Sequence, residues 1–438
     1  MGVNKQFLSM KKTVASIGLL AALGVSGLQA ASVAGLSPET VKPWNVSISL
    51  RAFYDDNINS VHSGDGKEDS FGIQARPSLG FQWVSEQTSV QLGYTYNFTY
   101  FDNKPAGNAD HYDQNHTFDV ALSHSFSPQV QLSLADSFVI GQEPDTLRAD
   151  PTFTTFQRIS GDNIRNYGFV NLDVQITRLF GLQIGYANSF FDYDDEATVD
   201  AFGFPRVSNS GLLDRVEHMP HIDARWQIAP TTVGLLGYKY REVNFTGDQL
   251  IDLAGTATSE TRDSRAHYIY AGVEHTFRPD LTGSLRAGAS FIDYYNDPNN
   301  QNDTAPYVMA SLKYLYMPES SVEVGFSYDR NATDLFSVAN DGNITQDAQS
   351  ATLWANVTHR FAPRIYGTFV GQVQNSTYNG GTLDGQSDTF FLIGFNVEYR
   401  FNTYLSASAG YNFDHLDSDI DNRGFDRNRV YLGITASY

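Results

Sequence analysis

The sequence contains no cysteine, only 4 tryptophans and 5 methionines, and, beyond its N-terminal region, no apolar run of the roughly 18 residues that a membrane-spanning helix requires. The missing cysteine excludes disulfides and thiolate metal sites, so stability has to come from backbone pairing and packing. The missing apolar runs exclude helical membrane spans, and if this chain crosses a membrane it does so with strands. Basic residues are scarce too: 29 Lys and Arg stand against 49 Asp and Glu, for a formal net charge of -20. Nucleic acid, whose phosphates demand a basic footprint, is therefore not an expected partner.

What is abundant favours strands. Tyr 25, Phe 30 and Gly 36 accompany a mean hydropathy of -0.32, and aromatic residues suit a pleated, half-buried surface. At the N-terminus, Lys11 and Lys12 precede an apolar run from Val14 to Val25 and small residues with cleavage points after Ala30 or Ala34. This reads as a secretory signal over residues 1–30, or to 34, with Met10 as an alternative start to Met1. Residues 31–43 would form a short periplasmic segment and 44–438 one barrel domain.

The strongest pattern is alternation with period two, the spacing that sends successive side chains to opposite faces of a strand. Val90, Leu92, Tyr94, Tyr96, Phe98 and Tyr100 share one face, and Ser89, Gln91, Gly93, Thr95, Asn97 and Thr99 the other. Strand candidates are joined alternately by short turns and long polar loops. Short turns fall near Glu86, Pro128, Phe180, Pro230, Pro279, Pro318, Pro363 and Asn402; long loops surround Gly64, Gly107, Pro151, Phe204, Gly255, Asn299, Asn340, Gly381 and Asp421. That rhythm predicts an all-β, transmembrane antiparallel up-and-down barrel of about 18 strands, with short periplasmic turns and long extracellular loops. Sixteen strands stay open, because the fifteenth, Ile365 to Gln374, alternates weakly. Closure follows from the membrane itself, since each unsatisfied backbone group in hydrocarbon costs several kcal/mol.

Three turns share one dress: His124-Ser125-Phe126-Ser127-Pro128, His275-Thr276-Phe277-Arg278-Pro279 and His359-Arg360-Phe361-Ala362-Pro363. The recurring aromatic suggests an interfacial girdle. Three positions fit poorly: Pro77 and Pro220 interrupt strands, where proline normally marks an edge or bulge, and Asp136 falls on the apolar face between Leu134 and Phe138, through either a bulge or a register error.

On this register the polar face carries Arg51, Arg76, Asp119, Asp173, Arg215, Glu217, Lys239, Glu274, Arg286, Lys313, Glu323, Glu398 and Arg400. These would line a wet pore. They either form a selectivity constriction or pair across the barrel as salt bridges. Asp417-Ser418-Asp419-Ile420-Asp421 begins like a calcium loop, but Asn422 replaces its turn glycine and Asn428 its bidentate glutamate, so solvated acids are the expectation. No nucleophile, base and orienter come together, and there is no phosphate-binding glycine loop. A channel is expected, not an enzyme, and transport of this kind needs no cofactor.

The segment Phe53-Tyr54-Asp55-Asp56-Asn57-Ile58, the repeated hairpins and the terminal strand resemble the putative β-barrel porin family of type two, over nearly the whole chain past the signal. That resemblance implies an outer-membrane location and a pore, or a role in exporting surface polysaccharide with periplasmic partners; it brings no catalytic residues. The last strand, with Val430, Leu432, Ile434, Ala436 and Tyr438 on one face, resembles the C-terminal signature read by the outer-membrane insertion machinery. Outer-membrane lipid and lipopolysaccharide are the surrounding partners expected. Tyr268, Tyr270 and Tyr307 could stack on sugars in an export conduit or simply pack the lumen; a third reading is a closed structural or adhesive barrel. The preferred function is passive diffusion of small hydrophilic solutes.

Overall fold

The computed structural model describes residues 42–62, 66–104, 111–142, 161–194, 208–247, 249, 251–252, 257–299 and 301–438. The expected signal sequence lies outside the described residues, as do the centres of the predicted loops at Gly64, Gly107, Pro151, Phe204 and Gly255.

Eighteen antiparallel strands form one sheet. In chain order they are β1 (Trp44–Asp55), β2 (Ser70–Val84), β3 (Thr88–Phe101), β4 (Tyr112–Ser127), β5 (Val130–Gly141), β6 (Asn163–Gln175), β7 (Phe180–Tyr193), β8 (Arg215–Ala229) and β9 (Thr232–Phe245). They continue as β10 (Ser264–Arg278), β11 (Leu281–Asp293), β12 (Asn302–Met317), β13 (Ser320–Asn331), β14 (Asp347–Ala362), β15 (Ile365–Asn379), β16 (Ser387–Arg400), β17 (Leu405–Ser418) and β18 (Phe425–Ser437). Each pairs with its sequence neighbours, and β1 pairs with β18 from Ser47↔Ser437 to Asp55↔Arg429. Val46 and Tyr438 exchange backbone bonds of 3.1 and 2.8 Å at the seam, so the sheet closes without an edge. β15 pairs along its length with both neighbours, which removes the sixteen-strand alternative.

Alternation becomes two chemically distinct walls. Along β2, Phe71, Ile73, Leu79, Phe81 and Trp83 are exposed outward, whereas Ser70 and Gln74 are buried inward. On β18, Val430, Leu432, Ile434, Ala436 and Tyr438 face outward, and Arg427, Arg429 and Tyr431 are buried inside. An apolar exterior around a polar interior is the inverse of a soluble protein, and suits hydrocarbon outside with water inside.

The shared turn motif acts as a clip at the short-turn rim. His124 Nδ1 lies 2.8 Å from Thr88 Oγ1, and His275 Nδ1 lies 2.8 Å from Thr232 Oγ1. His359 Nδ1 lies 2.8 Å from Tyr316 Oη. In each case the Phe two residues later meets the imidazole edge-on, at 4.5, 4.4 and 4.5 Å, and stands exposed at the rim. The motif ties adjacent hairpins and sets an aromatic girdle in one step.

The misfit positions are real features of a regular ladder. Pro77 and Pro220 mark neither an edge nor a bulge: both face outward, and pairing resumes on either side of each in an unchanged register. Each proline removes a donor without moving its strand. Asp136 also follows no bulge. In β4–β5 the register shifts only between Ser125 and Ser127, at the turn, so Asp136 does face outward.

Candidate functional site

The inward face carries every charged residue expected of the polar face: Arg51, Arg76, Asp119, Asp173, Arg215, Glu217, Lys239, Glu274, Arg286, Lys313, Glu323, Glu398 and Arg400. Most stand in ion pairs. Arg215 donates to Glu217 at 2.9 Å, and Glu217 is shared with Arg241 at 2.7 Å. Lys239 lies 3.6 Å from Asp329. Glu274 joins Arg225 at 2.5 Å and Arg286 at 3.6 Å, while Lys313–Glu323 and Arg400–Glu398 pair at 3.4 and 3.1 Å. Asp119 accepts from Ser137 Oγ and Asp173 from Gln183 Nε2, each at 2.8 Å; Arg51 lies over the Tyr431 ring at 4.9 Å. Arg76 is half-buried on β2, away from the β8–β13 network.

Several pairs reach beyond adjacent strands. Arg286 of β11 approaches Asp223 of β8 at 3.4 Å, and Arg241 of β9 donates to the carbonyl of Arg330 on β13 at 2.6 Å. Tyr268, Tyr270 and Tyr307 pack here with exposures of 0, 3 and 2%, beneath Lys239, whose Nζ is 3.9 Å from the Tyr268 ring centre. Charges and rings thus fill the β8–β13 side of the lumen. Sequence reasoning missed Asp223, Arg225, Arg241 and Asp329. Strand parity could have found them, since each shares the face of a residue that was picked.

The extracellular mouth is organised by connections, not strands. The β13–β14 connection, residues 332–346, is held at two adjacent residues, Thr333 and Asp334, by arginines that come from nearly opposite sides of the barrel. Arg262, in a 3-10 turn over Ser259–Arg262 between β9 and β10, donates from Nη1 to Thr333 O at 3.2 Å and from Nη2 to Leu212 O at 2.6 Å. Leu212 belongs to a short helix, Asn209–Leu213, before β8. On the far side, Arg423 between β17 and β18 donates to Asp334 at 2.9 and 3.2 Å and to Asp388 at 2.7 Å. The start of the connection is therefore held at the mouth from both sides. Two small, partly open pockets flank it, one lined by Arg241, Arg262 and Tyr294, the other by Asp334, Tyr378 and Arg423.

These anchors are electrostatically stressed. Burial, reinforced by Arg215, pulls the Arg262 guanidinium down to about 9. Burial works the same way on Arg423, but Asp334, Tyr378 and Asp388 outweigh it and hold Arg423 above the usual range. Burial pushes Asp214 from 3.8 up to about 7 and Asp263 up to about 6. Each caps a strand end, accepting from the backbone N–H of Tyr193 and of Phe245, both at 2.7 Å. A carboxyl that holds its proton more tightly in the fold makes the folded mouth bind more protons between its ordinary and raised values, so stability falls as pH rises through that window. Hydrogen exchange at the Tyr193 and Phe245 amides, corrected for intrinsic pH dependence, should show greater protection near pH 5 than near pH 8. Asp214→Asn should flatten the trend at Tyr193. An unaltered trend in that variant would detach the effect from Asp214.

The calcium-like run binds differently: Asp419 accepts from the Ser387 N–H and Oγ, both at 2.8 Å. Among the described residues no group of three His, Asp or Glu is placed to hold a metal.

The segment that carried the family resemblance closes the barrel. Asp55, 1% exposed, accepts from Arg427 Nε at 3.0 and 2.9 Å and from Nη2 at 2.6 Å. Asp56 accepts from the Asn428 N–H at 2.6 Å and Nδ2 at 2.8 Å, and Asn57 donates to Asp426 O at 2.9 Å. The first strand's end is thereby clasped to the start of the last. Residues 40–438 match the family described as putative β-barrel porin 2.

The chain belongs to that family. It is an outer-membrane channel of porin type, and its place is the bacterial outer membrane. Among solved structures, the chain is similar to a BenF-like porin from Pseudomonas fluorescens, at 10% identity over 91% of this chain and 99% of that one, with a TM-score of 0.44. The outer membrane protein opdK from Pseudomonas aeruginosa is similar at 11% identity over 90% and 99%, TM-score 0.44. OccAB4 from Acinetobacter baumannii is similar at 12% over 92% and 100%, TM-score 0.42. No curated protein matches the sequence significantly.

Proposed function

We propose that this porin lets small hydrophilic solutes diffuse passively across the outer membrane, past the connection that Arg262 and Arg423 hold at its mouth. The observation that carries the reading is a closed barrel whose outer wall is apolar and whose inner wall bears paired charges of both signs. Such pairing offers water and polar solutes a favourable surface while leaving no large field of one sign, so ion selectivity should be modest. The same reading takes Val430, Leu432, Ile434, Ala436 and Tyr438 as the face presented to the insertion machinery. Nothing in it calls for a cofactor.

Refolded protein in a planar bilayer should give stable, ohmic single-channel steps with weak ion selectivity. Properly inserted protein without steps would end the passive-diffusion reading. A polysaccharide conduit would need rings offered to a passing chain, and the packing of Tyr268, Tyr270 and Tyr307 leaves almost none of their surface free for that.

A further inference from the structure

A line of polar side chains crosses the membrane-facing surface. Asp136 of β5 pairs in register with Gly168 of β6, Gly168 with Asn188 of β7, Asn188 with His218 of β8, His218 with Glu242 of β9, and Glu242 with Arg265 of β10. At Arg265 the line reaches the strand end, where headgroups and water are near. At Asp136 it lies within the apolar band, with Leu132 and Leu134 below, Phe138 and Ile140 above, and Val120 beside it on β4.

The deep end is hydrogen-bonded. Asn166 Nδ2 donates to both carboxylate oxygens of Asp136, at 3.0 and 3.1 Å, and Asn188 Nδ2 donates to Asn166 Oδ1 at 3.1 Å. Glycine at 168 leaves the notch between them, since a Cβ there would come within 2.6 Å of Asn188 Oδ1 and 2.8 Å of Asp136 Oδ1. A carboxylate has about four acceptor sites, and one amide does not fill them. Lipid tails offer no donor, and a polar group turned toward them is costly.

We infer that this patch is the contact between two copies of the chain in the membrane. Copies inserted the same way are related by rotation about the membrane normal, so a two-fold axis beside the notch sets the bonded Asp136–Asn166 pair of one copy against the same pair of the other at equal depth. The patch holds both acceptor and donors and is self-complementary, as an isologous interface requires. Lipopolysaccharide fits less well, because its phosphates carry the same sign as Asp136 and lie at headgroup height. Within the bilayer, side-chain hydrogen bonds between spanning elements are a main source of association.

The absence of cysteine makes a clean test. Val170→Cys, outward on β6 beside the notch, should form a disulfide-linked dimer on mild oxidation in native outer membranes, whereas Val373→Cys, outward on the opposite strand β15, should not. Adding Asp136→Leu to Val170→Cys should abolish the dimer band, and adding Asp136→Asn should keep it. The heat-modifiable gel shift of folded barrels confirms that each variant inserts. A folded Val170→Cys protein with no more dimer than Val373→Cys overturns the proposal and leaves the patch to lipid. A dimer undiminished by Asp136→Leu overturns the role given to the ladder.

Discussion

Asp55→Ala will lower the stability of the barrel by about 3–5 kcal/mol, the cost of breaking a buried ion pair by removing one member. Arg427 is 5% exposed, and its guanidinium makes an ion pair with Asp55 at 2.6 Å across the β1–β18 seam. Removing the carboxylate takes this ion pair from a buried cation where the first and last strands meet, and the seam is the contact with the greatest separation along the chain. The midpoint of urea unfolding in lipid vesicles, followed by the heat-modifiable gel shift, reads the loss directly. Asp55→Leu combined with Arg427→Leu should recover most of it, because an apolar pair of similar volume leaves nothing uncompensated. A single variant that unfolds at the wild-type midpoint would show that closure rests on the backbone ladder alone.

The second large effect concerns the mouth. Asp334→Ala removes the carboxylate that Arg423 holds, freeing the start of the β13–β14 connection on the β17–β18 side while the Arg262 bond to the neighbouring Thr333 O still holds it from the other. Loss of a buried pair of this kind, at about 3 kcal/mol or more, multiplies the population of the displaced connection by roughly a hundredfold. Single-channel conductance should rise and larger solutes should enter proteoliposomes. Asp341→Ala, at the exposed tip of the same connection, should leave conductance unchanged. If Asp334→Ala conducts like wild type, the connection lies clear of the solute path.

The strand pattern was legible because a strand has only two faces. Once one face must meet hydrocarbon, period two marks every lipid-facing residue and, by exclusion, every inward one; this is why the inward charges from Arg51 to Arg400 fall where parity puts them. Parity also placed Asp136 outward; the bulge or register error invoked for it is the wrong explanation, since the ladder has neither there. Pro77 and Pro220 were harder, because a missing N–H reads as a break in sequence, whereas a ladder paired over a dozen residues carries one lost donor without changing register.

By itself the sequence determined the alternating crossings, with eighteen preferred and sixteen open until β15 is seen paired on both sides, the two walls, the side on which the turns are short, and the residues of both seam strands. Alternation and turn chemistry act between neighbours along the chain, and the membrane forces the rest of the closure. Only the tertiary structure decided which inward charges meet, that Arg241 reaches β13 and Arg286 reaches β8, and that Arg262 and Arg423 hold one connection at the mouth. Those contacts depend on barrel curvature and on how neighbouring strands are staggered. Such quantities arise from all eighteen strands together, and no local spacing encodes them.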